Sequence, residues 1–199
     1  EANNLFIRGA ADSLKPANIL ISAIEHPCVL KPALALSKRM TDPWNINMFP
    51  TNTSGQVDLE AVEKLLQRDK PALVSVMLVN NETGVIQNVS SIADMARAQG
   101  AIIHTDAVQG FGKIPVDFSV LKVHAMTLSA HKIYGPKGAA ALIIDKRLML
   151  RPLIYGGGHE NGLRSGTENV AAIVGLGAAC ELAQSRLDET TKHILPLQE

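Results

Sequence analysis

The sequence predicts an α/β fold built on a mostly parallel sheet, on three observations. Apolar strand-like runs recur along the chain, stretches of helical period separate them, and one run is apolar without any alternation. That run, Leu73-Val74-Ser75-Val76-Met77-Leu78-Val79, reads as a strand covered on both faces, which parallel sheets require. The remaining strands are predicted at 18–22, 45–49, 101–105, 125–128 and 139–144, with the central one at 72–79. Residues 1–9 read as the interior of an amphipathic helix. Leu59, Val62, Leu65 and Leu66 share one helical face, with Gly55 marking the turn before it and Asp58 available as the N-terminal cap. Ser91 and Asp94 have capping-box spacing ahead of Met95 and Ala98, and Gly100 is the stop. A long last helix is predicted from about residue 169 to 187, rich in Ala and Val, with Gly175 and Gly177 permitting close packing. No repeat, low-complexity stretch or charged linker interrupts the chain, so a single domain is predicted.

Composition narrows the function classes. With 199 residues, 46% of them hydrophobic, the chain can bury a core of its own. Lys and Arg total 19 and Asp and Glu total 19, so no net field recruits nucleic acid or an anionic membrane. No apolar run reaches bilayer length, and Glu1-Ala2-Asn3-Asn4 lacks the basic start and hydrophobic stretch of a signal peptide. The expected compartment is cytoplasmic, or an organelle whose transit peptide has been removed. A first residue that already lies inside a helical pattern predicts that the chain is a piece of something longer. Cys28 and Cys180 form no C-x-x-C pair, so neither a disulfide framework nor a zinc site is expected. Cys28 lies two residues from His26, but proximity in sequence makes no dyad, and a structural role is expected for it. No histidine pair has the i, i+4 spacing of a helical metal site.

The chemistry gathers at the predicted strand ends, where open α/β sheets bind their ligands. Asn80-Asn81-Glu82-Thr83-Gly84 follows one strand, Asp106-Ala107-Val108-Gln109 another, and Ser129-Ala130-His131-Lys132 a third. Taken singly, each reads as a turn. Together they offer an amine, Lys132, and a carboxylate, Asp106. Pyridoxal phosphate needs both, one to hold its aldehyde and one to keep its pyridine nitrogen protonated. His26, after the first strand, reads equally as a stacking partner for a flat ring or as a loop histidine satisfied by backbone, and His104, which precedes Asp106, reads as a supporting residue. Neither Gly135-Pro136-Lys137-Gly138 nor Gly156-Gly157-Gly158 has the spacing of a nucleotide-binding loop. The second continues through a polar string to Asn169 and suits anion contact ahead of the last helix.

The strings at 80–84, 104–109, 129–138 and 156–169 together resemble the NifS/IscS-like cysteine desulfurases of the class V aminotransferase family, almost from end to end. The resemblance implies the three-layer, mostly parallel large domain of fold type I pyridoxal phosphate enzymes, with residues 1–199 an incomplete part of it. It also implies residue roles. Lys132 is the covalent attachment point and proton shuttle, Asp106 the partner of the pyridinium nitrogen, and Gln109 a donor to the ring hydroxyl. His26 stacks on the ring, Asn81 meets the ring hydroxyl or the substrate carboxylate, and Ser129 and His131 hold the phosphate. Thr167 reaches the phosphate bound in a partner subunit, which implies a homodimer.

The implied reaction converts L-cysteine to L-alanine and leaves sulfur as an enzyme persulfide for an acceptor protein, in iron-sulfur cluster or thio-cofactor synthesis. The persulfide cysteine and a carboxylate-binding arginine are expected in a C-terminal small domain outside 1–199, and a phosphate-binding Gly-Ala-Thr turn before Glu1. Neither Cys28 nor Cys180 matches the persulfide position. The alternatives are a selenocysteine lyase, another class V transaminase or lyase, or a truncated domain without catalysis.

Overall fold

The computed structural model describes residues 1–194 and 196. Helix α1 (Ala2–Ala11) leads into strand β1 (Asn18–Ser22), helix α2 (Pro27–Ser37), β2 (Asn45–Phe49), α3 (Leu59–Asp69), β3 (Leu73–Ser75) and α4 (Val89–Ala98). There follow β4 (Ile102–Asp106), the short α5 (Phe118–Leu121), β5 (Ala125–Ser129), a 3₁₀ turn (Ala130–Ile133), β6 (Ala140–Ile144), a second 3₁₀ turn (Glu160–Gly162), α6 (Val170–Ser185) and α7 (Leu187–Ile194). The six strands form one sheet in the order β2-β1-β3-β4-β5-β6, parallel throughout except for β6, which runs antiparallel to β5. The predicted α/β class and mostly parallel sheet are what the structure has.

Period-2 geometry builds the layers. Ile19 and Ile21 of β1 pack with α1 and α2 residues Phe6, Ile7, Val29 and Ala33, whereas Leu20 between them joins Val62, Leu66, Ile92 and Ala96 of α3 and α4. The sheet is therefore covered on both faces, giving three layers. In α3 the predicted face is correct: Val62 and Leu66 are buried, and the Asp58 carboxylate accepts the N–H groups of Glu60 and Ala61. Helix α1 lies close enough to the segment after β6 that a Cβ on Gly9 would stand 2.5 Å from the Arg151 carbonyl oxygen. Arg151 N–H donates to Gly9 O at 2.9 Å in the same contact.

Besides one-residue shifts at the ends of β4, β5 and β6, four elements differ from the prediction, each for a local reason. The run 72–79 keeps ladder pairing only over Leu73–Ser75, because beyond Ser75 the Met77 N–H turns to the Glu25 carboxylate instead of β1. Helix α4 begins at Val89 and is capped by Asn88, whose Oδ1 accepts Ser91 N–H, so Ser91 lies inside the helix rather than at its cap. Helix α2 was not foreseen. It opens with Pro27, carries Pro32 inside and has few polar residues to define a face, yet Val29, Ala33 and Leu36 line up at helical spacing and are buried. The last predicted helix is two, α6 capped by Asn169 and α7 bent from it by 64°. Among the described residues no single helix is long and apolar enough to cross a membrane.

Candidate active site

A cavity of about 370 Å³ opens beyond the carboxyl ends of β1, β3, β4 and β5. Chain order reverses at β1, whose neighbours in the sheet are β2 on one side and β3 on the other, and such switch points are where open sheets bind ligands. Its size is that of a small-molecule site. Seven of the residues predicted from sequence, His26, Asn81, Asp106, Gln109, Ser129, His131 and Lys132, line it together. Thr167, the eighth, is exposed on the loop before α6 and lies outside the cavity wall.

Asp106 ends β4, buried. Its Oδ2 accepts from Asn3 Nδ2 at 2.7 Å and its Oδ1 from Val108 N–H at 3.0 Å, leaving a lone pair on each oxygen. Two residues earlier His104 is fully buried, its Nδ1 2.9 Å from Ser75 Oγ and its Nε2 3.0 Å from Thr127 Oγ1. Phe6 stacks on it with ring centroids 4.4 Å apart. Burial pushes the His104 pKa down to about 3, so the ring is a neutral strut under the carboxylate.

His26 is the N-cap of α2, its Nδ1 accepting Cys28 N–H at 3.2 Å. Against the expectation from sequence, Cys28 does meet this imidazole, with Sγ 2.9 Å from Nδ1, because the first turn of a helix folds residue i+2 back onto its cap. It is nevertheless no thiolate pair, since burial and the nearby Asp106 charge push the thiol up. The residue before the cap is Glu25. Its Oε1 accepts from Ser22 Oγ and from Met77 N–H, both at 2.6 Å, while Oε2 is buried without a partner among the described residues. Burial, helped by the Asp106 charge, raises Glu25 to about 7. Asn80 ties the next loop to this turn. Its Nδ2 donates to Ile24 O at 3.1 Å, and its Oδ1 accepts the N–H groups of Glu82 and Thr83, which sets Asn81 at the lip.

The opposite side is more open. Lys132 sits in the 3₁₀ turn after β5, exposed at the cavity, and Ser129 Oγ lies 2.8 Å from His131 Nδ1. Lys113 Nζ donates to Gln109 Oε1 at 3.0 Å and to Gln109 O at 3.1 Å. Holding the amide oxygen leaves Gln109 Nε2 as the free donor, and burial together with the Lys132 charge lowers the Lys113 amine. Arg164, on the string before α6, pairs with Glu1 at the cavity wall, Nε to Oε1 2.9 Å.

Sequence reasoning missed Asn3, Glu25, Cys28 and Lys113 as parts of this site. A Glu directly before a His that caps a Pro-started helix was the one local signal available. Asn3 comes to Asp106 only through tertiary contact. Among the described residues no group of three His, Cys, Asp or Glu is placed to hold a metal. The set offers instead a carboxylate with free lone pairs, a flat imidazole, an amide donor, a primary amine and a hydroxyl-imidazole pair around one small cavity. That combination suits a flat ring bearing a basic nitrogen, a hydroxyl, an aldehyde and an anionic group.

The sequence model of the family described as Aminotransferase class-V matches residues 1–199. The "Cysteine desulfurase IscS" of Rickettsia africae is 43% identical over 198 residues, covering 98% of this chain and 47% of that protein. The mitochondrial cysteine desulfurase of Arabidopsis thaliana is 42% identical over 203 residues, covering 100% of this chain and 44% of that protein. A solved structure titled "NIFS-LIKE PROTEIN" superposes with a TM-score of 0.89 at 39% identity, over 94% of this chain and 52% of that one. The chain spans about half the length of the curated relatives it matches.

Proposed function

The chain belongs to the class V aminotransferase family, and from that premise we propose that the protein is a pyridoxal phosphate-dependent cysteine desulfurase. The observation that carries the reading is that Asp106 and Lys132, from the ends of different strands, line one cavity of cofactor size. When bound, pyridoxal phosphate supplies an aldehyde that condenses with primary amines and a protonated ring that draws electrons from the substrate Cα. Lys132 is the amine that attaches it and afterwards moves the Cα proton. Asp106, its oxygens steadied by Asn3 and Val108, keeps the ring nitrogen protonated. His26 stacks on the ring, Gln109 Nε2 donates to the ring hydroxyl, Asn81 meets that hydroxyl or the substrate carboxylate, and Ser129 and His131 hold the phosphate.

L-cysteine loses its sulfur to an enzyme thiol and leaves as L-alanine, and the thiol becomes a persulfide that an acceptor protein draws on. Residues 1–199 belong in this reading to the cofactor-binding large domain, with the persulfide cysteine and a carboxylate-binding arginine in a small domain beyond it. Cys28 is not that cysteine, because it lies against Asp106 and His26. The exposed Thr167 serves the cofactor of a second subunit, making the enzyme a homodimer. A cytoplasmic location goes with this reading.

The test is to purify the full-length protein with pyridoxal phosphate, reduce it with borohydride and map the label. Label on Lys132, together with equal release of alanine and transferable sulfur from L-cysteine, is the expected result. Label confined to another lysine such as Lys137 overturns the site. Turnover of selenocysteine but not cysteine overturns the substrate.

A further inference from the structure

Two neighbours of Asp106, Asn3 and Cys28, are bonded to each other as well as to the cofactor-facing residues, and that link between them is so far without a role. Asn3 is 5% exposed, and both hydrogens of its amide are in use, one to Asp106 Oδ2 at 2.7 Å and one to Cys28 Sγ at 2.9 Å. Cys28 Sγ stands in turn 2.9 Å from His26 Nδ1. A sulfur that accepts from Asn3 has its own hydrogen left, with His26 Nδ1 at 2.9 Å and Asp106 Oδ2 at 3.8 Å as acceptors, and the shorter contact directs it to His26. The single lone pair of Nδ1 is then shared by the thiol and Cys28 N–H, so in the neutral ring the proton sits on Nε2. The contacts thus diverge from Asn3, whose amide donates to Asp106 on one side and to Cys28 on the other, and Cys28 passes the chain on to His26.

The orientation of Asn3 argues that this chain is more than packing. Its Oδ1 is buried and has no partner among the described residues. An amide placed for stability pairs both ends, and an orphan at a site calls for a functional explanation. Turning the amide over is not open to it, because Oδ1 would then face the Asp106 carboxylate. Asn3 leaves one end unpaired so that the other can hold Asp106 and Cys28 at once.

We propose that Asn3 and Cys28 form a positioning bridge: Asn3 fixes the rotamer of Asp106, and Cys28 fixes the orientation and Nε2–H tautomer of His26, so that ring-nitrogen partner and ring-stacking residue are held in register. The bridge rests on the pyridoxal phosphate reading of the cavity. Neither residue touches substrate or cofactor in this role.

The experiment uses full-length protein carrying Asn3→Ala, Cys28→Ala or Cys28→Ser, with three readouts: affinity for added pyridoxal phosphate, the pH midpoint of the bound cofactor's visible absorption, and the pH dependence of Cys28 alkylation in apo-protein, followed by peptide mass. Asn3→Ala is expected to weaken cofactor affinity about tenfold, the scale of one hydrogen bond to a charged group. It should also shift the absorption midpoint and move the Cys28 alkylation midpoint upward as the Asn3 donor is lost. Cys28→Ser, which keeps a donor and an acceptor, should match wild type within about twofold, while Cys28→Ala shifts the midpoint in the same direction as Asn3→Ala. Unchanged affinity and midpoint in folded Asn3→Ala overturn the bridge, as does a Cys28→Ser protein no better than Cys28→Ala. If Asn3→Ala fails to fold, the cysteine pair alone decides. Wild-type protein that binds no pyridoxal phosphate removes the reading of the cavity itself and the bridge with it.

Discussion

The two sides of the cavity are built differently. Around Asp106 the side chains are cross-linked, with Asn3, Glu25 and His104 buried, Cys28 half-buried and His26 exposed at the mouth: each holds a neighbour, and Val108 N–H closes the carboxylate. Around Lys132 they are exposed, and Ser129 and His131 bond chiefly to each other. The buried side is assembled before any ligand arrives, so its residues serve folding and binding at once. The open side has few internal bonds of its own, so its residues have little stake in stability.

Lys132→Ala puts the largest strain on that contrast. On the proposed reading, desulfurase activity of the full-length protein should fall by about 10³-fold or more, the scale of losing an acid-base group. Unfolding free energy should stay within about 0.5 kcal/mol of wild type in urea titrations, as for other exposed positions. A protein that loses several kcal/mol with this change would show that the open side is not open. Asp106→Ala should do both kinds of damage, lowering turnover about 10²-fold to 10³-fold. It should also destabilise the fold by about 1–3 kcal/mol, because the Asn3 amide and Val108 N–H lose their acceptor.

Titration separates the two sides further, since the groups with large shifts lie on the buried one. Glu25 is raised to about 7, so its contribution is fully present below the unfolded carboxyl value near 4.5 and is lost as pH rises through 7. His104 is lowered to about 3, so stability is full above the unfolded value of 6.5 and is lost as pH falls toward 3. Glu25→Gln should therefore abolish the loss between pH 4.5 and 7, worth about 3 kcal/mol, and leave the acid-side loss from His104 in place. Urea midpoints across that range measure both. The mildest effect on turnover is expected at Gly9, where an added Cβ meets the Arg151 carbonyl: Gly9→Ala should cost about 1–3 kcal/mol of stability by pushing α1 outward. Cofactor affinity should fall modestly with it, because α1 carries Asn3.

Legibility in the sequence follows the same division. The open-side residues announced themselves as polar strings after apolar runs, and six strands could be placed because each was a short β-rich stretch between turn signals. Lys132, Ser129, His131, Gln109, Asn81 and Asp106 all lie in those strings, Asp106 placed just after a strand that in the structure it ends, and the family resemblance suggested their roles. The buried partners carried no such mark. Asn3 sits on a helix that reads as plain amphipathic, and Glu25 looks like a loop charge until Met77 N–H is seen to bond it. Helix α2 escaped because two prolines and an apolar composition obscure its period, and the ladder of β3 stopped short because that same Glu25 competed for its backbone.

The bond between Asn3 and Asp106 joins positions 103 apart in the chain. Closing so long a loop is entropically expensive until the strands between have assembled to hold its ends together. On the ribosome, where residues appear at about 5–20 per second, α1 emerges well before β4 and waits for it before its amide finds an acceptor. Capture of a ligand in this cavity therefore reports a completed sheet, and a nascent chain that has made only β1 to β3 has nowhere to bind one.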